Sequence, residues 1–113
     1  MSANLNEFTD TNFEAEVLKS ETPVLVDFGA DWCPPCQMLA PTIEAIASQY
    51  SGKVHVGTLN VDKNPKVAIK YKVSSLPTVA LFHKGELVEQ HVGLRPPKFY
   101  TALLDKHLQE RAA

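Results

Sequence analysis

The run Pro23-Val24-Leu25-Val26-Asp27-Phe28 restricts the fold more than any other stretch of the chain. It is continuously apolar but for Asp27, which predicts a strand buried on both faces. Such a strand belongs inside a sheet that other elements cover on each side. After Asp31-Trp32-Cys33, a long helix is predicted from about Pro34 to Tyr50, with Met38, Leu39, Ile43, Ile46 and Ala47 at helical spacing. Pro41 lies inside it and is expected to kink it, because proline removes one N–H bond and crowds the preceding turn.

The remaining segments extend this strand–helix unit. Val54 to Val61 reads as a second central strand, and Pro65 to Tyr71 as a short helix with proline at its first position. Thr78 to Phe82 and Leu87 to Val92 read as strands joined through Lys84-Gly85, a hairpin signal. A final helix starts near Pro96-Pro97, with Tyr100, Leu103, Leu104 and Leu108 on one face. Upstream, Asp10 or Thr11 can cap a first helix striped by Phe13, Val17 and Leu18, with Thr11 and Glu14 spaced as a capping box. The β-α-β-α-β order, then a hairpin and a helix, implies the α/β class: a central mixed β-sheet with helices on both faces. A length of 113 residues without repeats or linkers suits a single domain, 1–113.

A net charge of −2 gives no global attraction to nucleic acid or to acidic membranes. Met1 to Phe8 lacks the basic start and apolar run of a secretory signal, and no apolar stretch approaches membrane-spanning length. Cytoplasmic is therefore the default location. There the thiol pool keeps cysteines reduced, so the chain's two cysteines, Cys33 and Cys36, are poorly explained as a structural staple.

Their spacing suggests a different use. With Cys33 as the N-cap of the long helix, Pro34 is its first residue, Pro35 its second and Cys36 its third. Both prolines fall among positions whose N–H has no helical partner. An N-cap side chain accepts from the second or third helical N–H. The second is proline, so the Cys33 sulfur is aimed at the N–H of Cys36. Residues i and i+3 lie about 5–6 Å apart at Cβ. A disulfide needs roughly 3.5–4.5 Å. A tightened first turn closes that gap, so the pair can alternate between dithiol and disulfide. The helix N-terminus should lower the pKa of Cys33 and make it the attacking thiol. Cys36, further into the helix, should be more shielded and act as the resolving thiol. The competing zinc reading needs four ligands. His55, His83, His91 and His107 are scattered without metal-ligand spacing, so each is read as a surface residue and no metal site is expected.

Val24-Leu25-Val26-Asp27-Phe28, Ala30, Trp32-Cys33, Pro35-Cys36, Pro41, Asn60-Val61-Asp62, Leu76-Pro77-Thr78, Gly85 and Gly93 together carry a resemblance. From roughly Phe8 to Leu108 the chain resembles the thioredoxin family. The resemblance implies the thioredoxin fold and a general protein-disulfide reductase, with Cys33 attacking, Cys36 resolving and a cis Pro77 facing the pair. It also implies that backbone near Leu76 and Pro77 binds an extended substrate segment by strand-like pairing. Trp32, Pro34 and Pro77 would line the contact surface, and Gly93 would allow close approach. Implied partners are disulfide-containing proteins and thioredoxin reductase, a flavoenzyme fed by NADPH. The chain itself would be a monomer with no bound cofactor, no nucleic acid and no membrane. An ionised carboxyl in an apolar strand is costly, so the pKa of Asp27 should rise. It could then take a proton from Cys36; the alternative is a buried acid held by a hydrogen bond with no catalytic duty.

Four positions depart from the family pattern. Pro34 replaces a glycine, Gly29 stands where an aromatic is common, Thr58 stands where a lysine often accompanies the buried acid, and Gln37 replaces a basic residue. They bear on the redox potential more than on the fold. Two other functions are carried beside the reductase: a disulfide oxidase or isomerase of the same fold, and a binding module that does not use its thiols.

Overall fold

The computed structural model describes residues 4–112; the first three residues of the N-terminal stretch read above lie outside it. Five strands form one sheet in the order β1-β3-β2-β4-β5. They are β1 (Leu5–Phe8), β2 (Val24–Gly29), β3 (His55–Asn60), β4 (Thr78–His83) and β5 (Glu86–Val92). β3 runs parallel to both β1 and β2, whereas β4 is antiparallel to β2 and β5, so the sheet is mixed as expected. The α-helices are α1 (Pro34–Gln49), α2 (Pro65–Lys70) and α3 (Pro97–Ala112).

The alternation along β2 divides the core. Leu25 faces α1 and α3, where it packs with Leu39, Ile43, Ile46, Tyr100 and Leu104. Val24, Val26 and Phe28 face the opposite layer, formed with Phe13, Val17 and Val67. β4 is likewise apolar on both sides: Val79 and Leu81 join the first cluster, Ala80 and Phe82 the second. Helices thus cover both faces. Asp27 shares the α1/α3 side by the period-2 rule, opposite Thr58 on β3 and Val79 on β4.

The β4–β5 hairpin follows from its turn residues. Lys84 and Gly85 have φ of 53° and 81°, the positive pair that a two-residue type I′ turn requires. α1 continues through Pro41 to Gln49. Its inward stripe is the expected one except for Met38, which is 65% exposed.

Three other expectations are corrected. The first helix is a short π-helical segment, Glu14–Leu18, with no side-chain cap. In place of the Thr11/Glu14 pair, Thr9 and Asn12 exchange side-chain bonds with each other's N–H at 3.0 and 2.8 Å. The Asp10 carboxylate instead accepts from the N–H groups of Lys66 and Val67 at the start of α2. Strand β1 was not anticipated: four residues alternate too briefly to signal a strand, and its pairing with β3 is long-range. The histidines are half-buried against rings: His55 stacks on Phe8, His91 meets Phe99 edge-on, and His83 meets His107 edge-on.

The β1–β3 pairing depends on Gly57. A Cβ there would lie 2.5 Å from Phe8 Cε2 and 2.6 Å from the Asn6 carbonyl oxygen. Backbone cannot yield as a flexible side chain can. Gly57→Ala is expected to lower stability by about 3 kcal/mol in urea unfolding, the upper end for overpacking. An unchanged midpoint would show that β1 is not held this closely.

Candidate active site

β2 ends at Gly29 and α1 begins at Pro34, so the turn between them is at the sheet's C-terminal edge for these parallel strands. Cys33 is the N-cap of α1, in extended conformation (φ −101°, ψ 103°), with the two prolines directly after it. The Cys36 N–H donates to Cys33 Sγ at 3.3 Å. This is the arrangement that the proline pair dictates. The two cysteines are joined as a disulfide with Cα atoms 5.3 Å apart. Both are buried, but Cys33 (3% exposed) is the more covered and Cys36 (8%) the less. That corrects the expected shielding: Cys36 is deeper along the helix, yet a second opening reaches it.

The two residues border different cavities. Cys33 lines an outer cleft of ≈ 470 Å³ with Trp32, Pro34, Val73, Ser75 and Leu76. Trp32 is 68% exposed and is fixed by its indole N–H, which donates to Asp62 Oδ2 at 2.6 Å. Leu76 packs against the cysteine pair. Its N–H and C=O make no backbone hydrogen bond among the described residues. The Leu76–Pro77 peptide is cis. Pro77 is buried beside the cleft, and its carbonyl accepts from the Gly93 N–H at 2.8 Å. Gly93 has φ +99°, and a Cβ there would meet open space. Trp32, Pro34 and Leu76 therefore line one cleft with Cys33, while Pro77 and Gly93 line neither cavity.

A second cleft of ≈ 440 Å³ is bordered by Cys36, Asp27, Gly29, Thr58, Asn60 and Lys63, among others. Asp27 is 6% exposed. Its Oδ1 is buried without a hydrogen-bond partner among the described residues, so the reading of an acid held by hydrogen bonding does not apply to that oxygen. Burial pushes its pKa from 3.8 up to about 7, the rise expected for a carboxyl among apolar neighbours. The same burial raises the phenol of Tyr100, helped by the Asp27 charge nearby. Among the described residues no group of three or more His, Cys, Asp or Glu could hold a metal ion, and no helix is long and apolar enough to cross a membrane.

Sequence reasoning missed several contributors. Asp62, which orients Trp32, was noticed only as part of a motif. Val73 and Ser75 carry no local signal, because their place beside Cys33 depends on the loop before Pro77. Gly29 reads in the sequence only as a departure, without its consequence: a Cβ there would lie 3.4 Å from Cys36.

The thioredoxin family model matches residues 4–106. Thioredoxin 1 of Nostoc sp. is 48% identical over 100 residues, 88% of this chain and 94% of that protein. Thioredoxin 2 of Chlorobaculum tepidum is 45% identical over 108 residues, 96% and 99% of the two chains. Thioredoxin of Rickettsia bellii is 54% identical over 86 residues, 76% and 82%. The family match over most of the chain, the disulfide-bonded Cys33–Cys36 pair and the mixed five-stranded sheet lead to one conclusion: the chain belongs to the thioredoxin family, has the thioredoxin fold, and is a thiol–disulfide oxidoreductase of the protein-disulfide reductase type.

Proposed function

We propose that Cys33-Pro34-Pro35-Cys36 is the active site and that its sulfurs act in a fixed order. In the dithiol, Cys33 is the nucleophile. The Cys36 N–H and the N-terminus of α1 favour its thiolate. It attacks one sulfur of a target disulfide and forms a mixed disulfide, releasing the other target sulfur as a thiolate. Cys36 then attacks Cys33 Sγ and frees the reduced target. Asp27 takes the Cys36 proton as that attack occurs, a role suited to a carboxyl poised near pH 7.

Substrate occupies the outer cleft. Trp32, Pro34 and Leu76 offer the contact surface, and the open backbone groups of Leu76 can pair with an extended segment. The Gly93–Pro77 hydrogen bond holds that loop, and glycine at residue 93 leaves room for the incoming chain. The partners are disulfide-containing proteins and a flavoenzyme reductase that supplies electrons from NADPH. The protein works as a one-domain monomer in the cytoplasm, without a cofactor of its own.

One observation carries this reading: Cys33 is both the helix N-cap, its sulfur accepting from the Cys36 N–H, and the cysteine that borders the cleft beside Trp32 and Leu76. Insulin reduction with NADPH and a thioredoxin reductase tests it. Sustained turnover is expected, and none with the pair intact would refute it. Equilibration with glutathione separates the reductase from an isomerase. A potential near about −270 mV supports the former, and one near about −180 mV the latter.

A further inference from the structure

The prolines that aim Cys33 at the Cys36 N–H also take donors away from the turn before α1. Cys33 shows the kind of bond that holds such a turn: its N–H donates to the carbonyl three residues back, that of Ala30, at 3.3 Å. Pro34 cannot repeat it at the Asp31 carbonyl, because it has no N–H. Among the described residues no other backbone N–H donates to that oxygen.

Gln37 supplies a donor from α1. Its Nε2 donates to the Asp31 carbonyl oxygen at 2.7 Å, and its backbone N–H donates to the Cys33 carbonyl at 3.2 Å. One residue thus holds both ends of the Asp31–Cys33 segment. The far side of the turn is tied to the loop after β3. Asp31 Oδ1 accepts from Asn60 Nδ2 at 3.4 Å, and Asn60 Oδ1 accepts from the N–H groups of Asp62 and Lys63. Asp62 in turn holds the Trp32 indole. The turn that carries Trp32 and Cys33 is therefore braced from two sides, and the Gln37 amide is the side-chain strut from α1.

That strut matters most in the dithiol. While the disulfide is closed, the Cys33–Cys36 bond itself fastens the turn to α1. On reduction that covalent tie is gone, and the N-cap geometry at Cys33 rests on hydrogen bonds alone. We propose that Gln37 is a positioning residue: its side chain supplies the donor that Pro34 withholds and keeps Cys33 at the head of α1 when the disulfide is open. Pro34 and Gln37, two of the departures from the family pattern, are then one compensated change. The consequence for reactivity rests on the reading of Cys33 as the attacking thiol: away from the N-cap, its thiolate loses the Cys36 N–H.

Gln37→Met keeps the side chain's length and removes its donor at an exposed position. In the reduced variant at pH 7, iodoacetamide should label Cys33 about fivefold more slowly and the Cys33 amide should exchange about fivefold faster, the scale of one hydrogen bond. In the oxidised variant that amide should exchange within about twofold of the unmodified protein, since the closed disulfide still prevents local opening. A contact that merely stabilises the fold would change both redox forms alike. Pro34→Ala returns an N–H to residue 34, so in that background Gln37→Met should slow labelling by less than about twofold. Unchanged amide exchange in reduced Gln37→Met, or the same loss of labelling in both backgrounds, would overturn the proposal. Equal labelling of Cys33 and Cys36 in the unmodified protein would instead count against Cys33 as the attacking thiol, and amide exchange would still decide the role of Gln37.

Discussion

Cys36→Ser is expected to lower steady-state insulin reduction by about a thousandfold or more, on the scale of losing an essential member of a catalytic unit. It should also leave Cys33 joined to the target in a mixed disulfide that accumulates. The cause lies in the geometry. Cys33 sits at the N-cap with the Cys36 N–H directed at its sulfur, and this backbone donor remains when the Cys36 side chain is changed. Attack on the target therefore survives, while the second displacement has no sulfur to perform it. Cys33→Ser should abolish turnover equally but trap nothing, because the remaining thiol has neither the N-cap position nor the outer cleft. Intact-mass measurement after incubation with a disulfide-bonded peptide distinguishes the two variants. Equal adduct on both would contradict the assigned order.

Asp27→Asn is expected to stabilise the protein at pH 8 by roughly 2–4 kcal/mol, and the sign follows from proton binding. The folded carboxyl has its pKa raised from 3.8 to about 7 by burial. Between those values the folded state holds a proton that the unfolded state has released. Stability therefore falls as pH rises through this window, and it is level above it. At about 1.4 kcal/mol per pKa unit, the full loss is on the order of 4 kcal/mol. The amide carries no charge to desolvate, so its unfolding free energy should be nearly flat from pH 4 to 8 as far as this site is concerned. Tyr100, the other buried group coupled to Asp27, titrates above this range, because burial raises it from 10.0. The variant should meanwhile lose roughly 10²-fold in resolving the mixed disulfide, the lower end for a general base. Urea unfolding across pH, beside single-turnover release of reduced target, checks both. A destabilised variant with unchanged resolution would mean that Asp27 is held by contacts and does no proton transfer.

The parts of the molecule legible in its sequence are those whose causes are local. The Cys33 N-cap follows from two prolines that leave Cys36 as the nearby donor. The hairpin follows from Lys84-Gly85, which adopt the left-handed conformations that the turn needs. The burial of both faces of β2 follows from its unbroken apolar run, and the rise in the Asp27 pKa from its place within that run. The cis Leu76–Pro77 bond was expected from the family resemblance, since trans is the intrinsic preference of any X–Pro bond.

What stayed hidden depends on residues far apart in the chain. β1 is defined by pairing with a strand about fifty residues away, against a glycine that alone permits the approach. Asp10 caps a helix more than fifty residues downstream, because the loop after β1 passes over the start of α2. The second cleft takes its wall from β1, β2, β3, α1 and the loop at Lys63. No window of sequence shows that Cys36 has an opening of its own. Met38 shows the complementary error: helical periodicity marks it as inward, but it falls at the edge of the stripe and stays in solvent.

The proposed order of exchange requires that Cys33, at the head of α1, be the more acidic of the two thiols. Limiting iodoacetamide applied to the reduced protein at pH 7, followed by peptide mapping, measures it directly. Carbamidomethylation of Cys33 at least about tenfold faster than of Cys36 is the expected result. Equal labelling of the two, or labelling of neither, would contradict it.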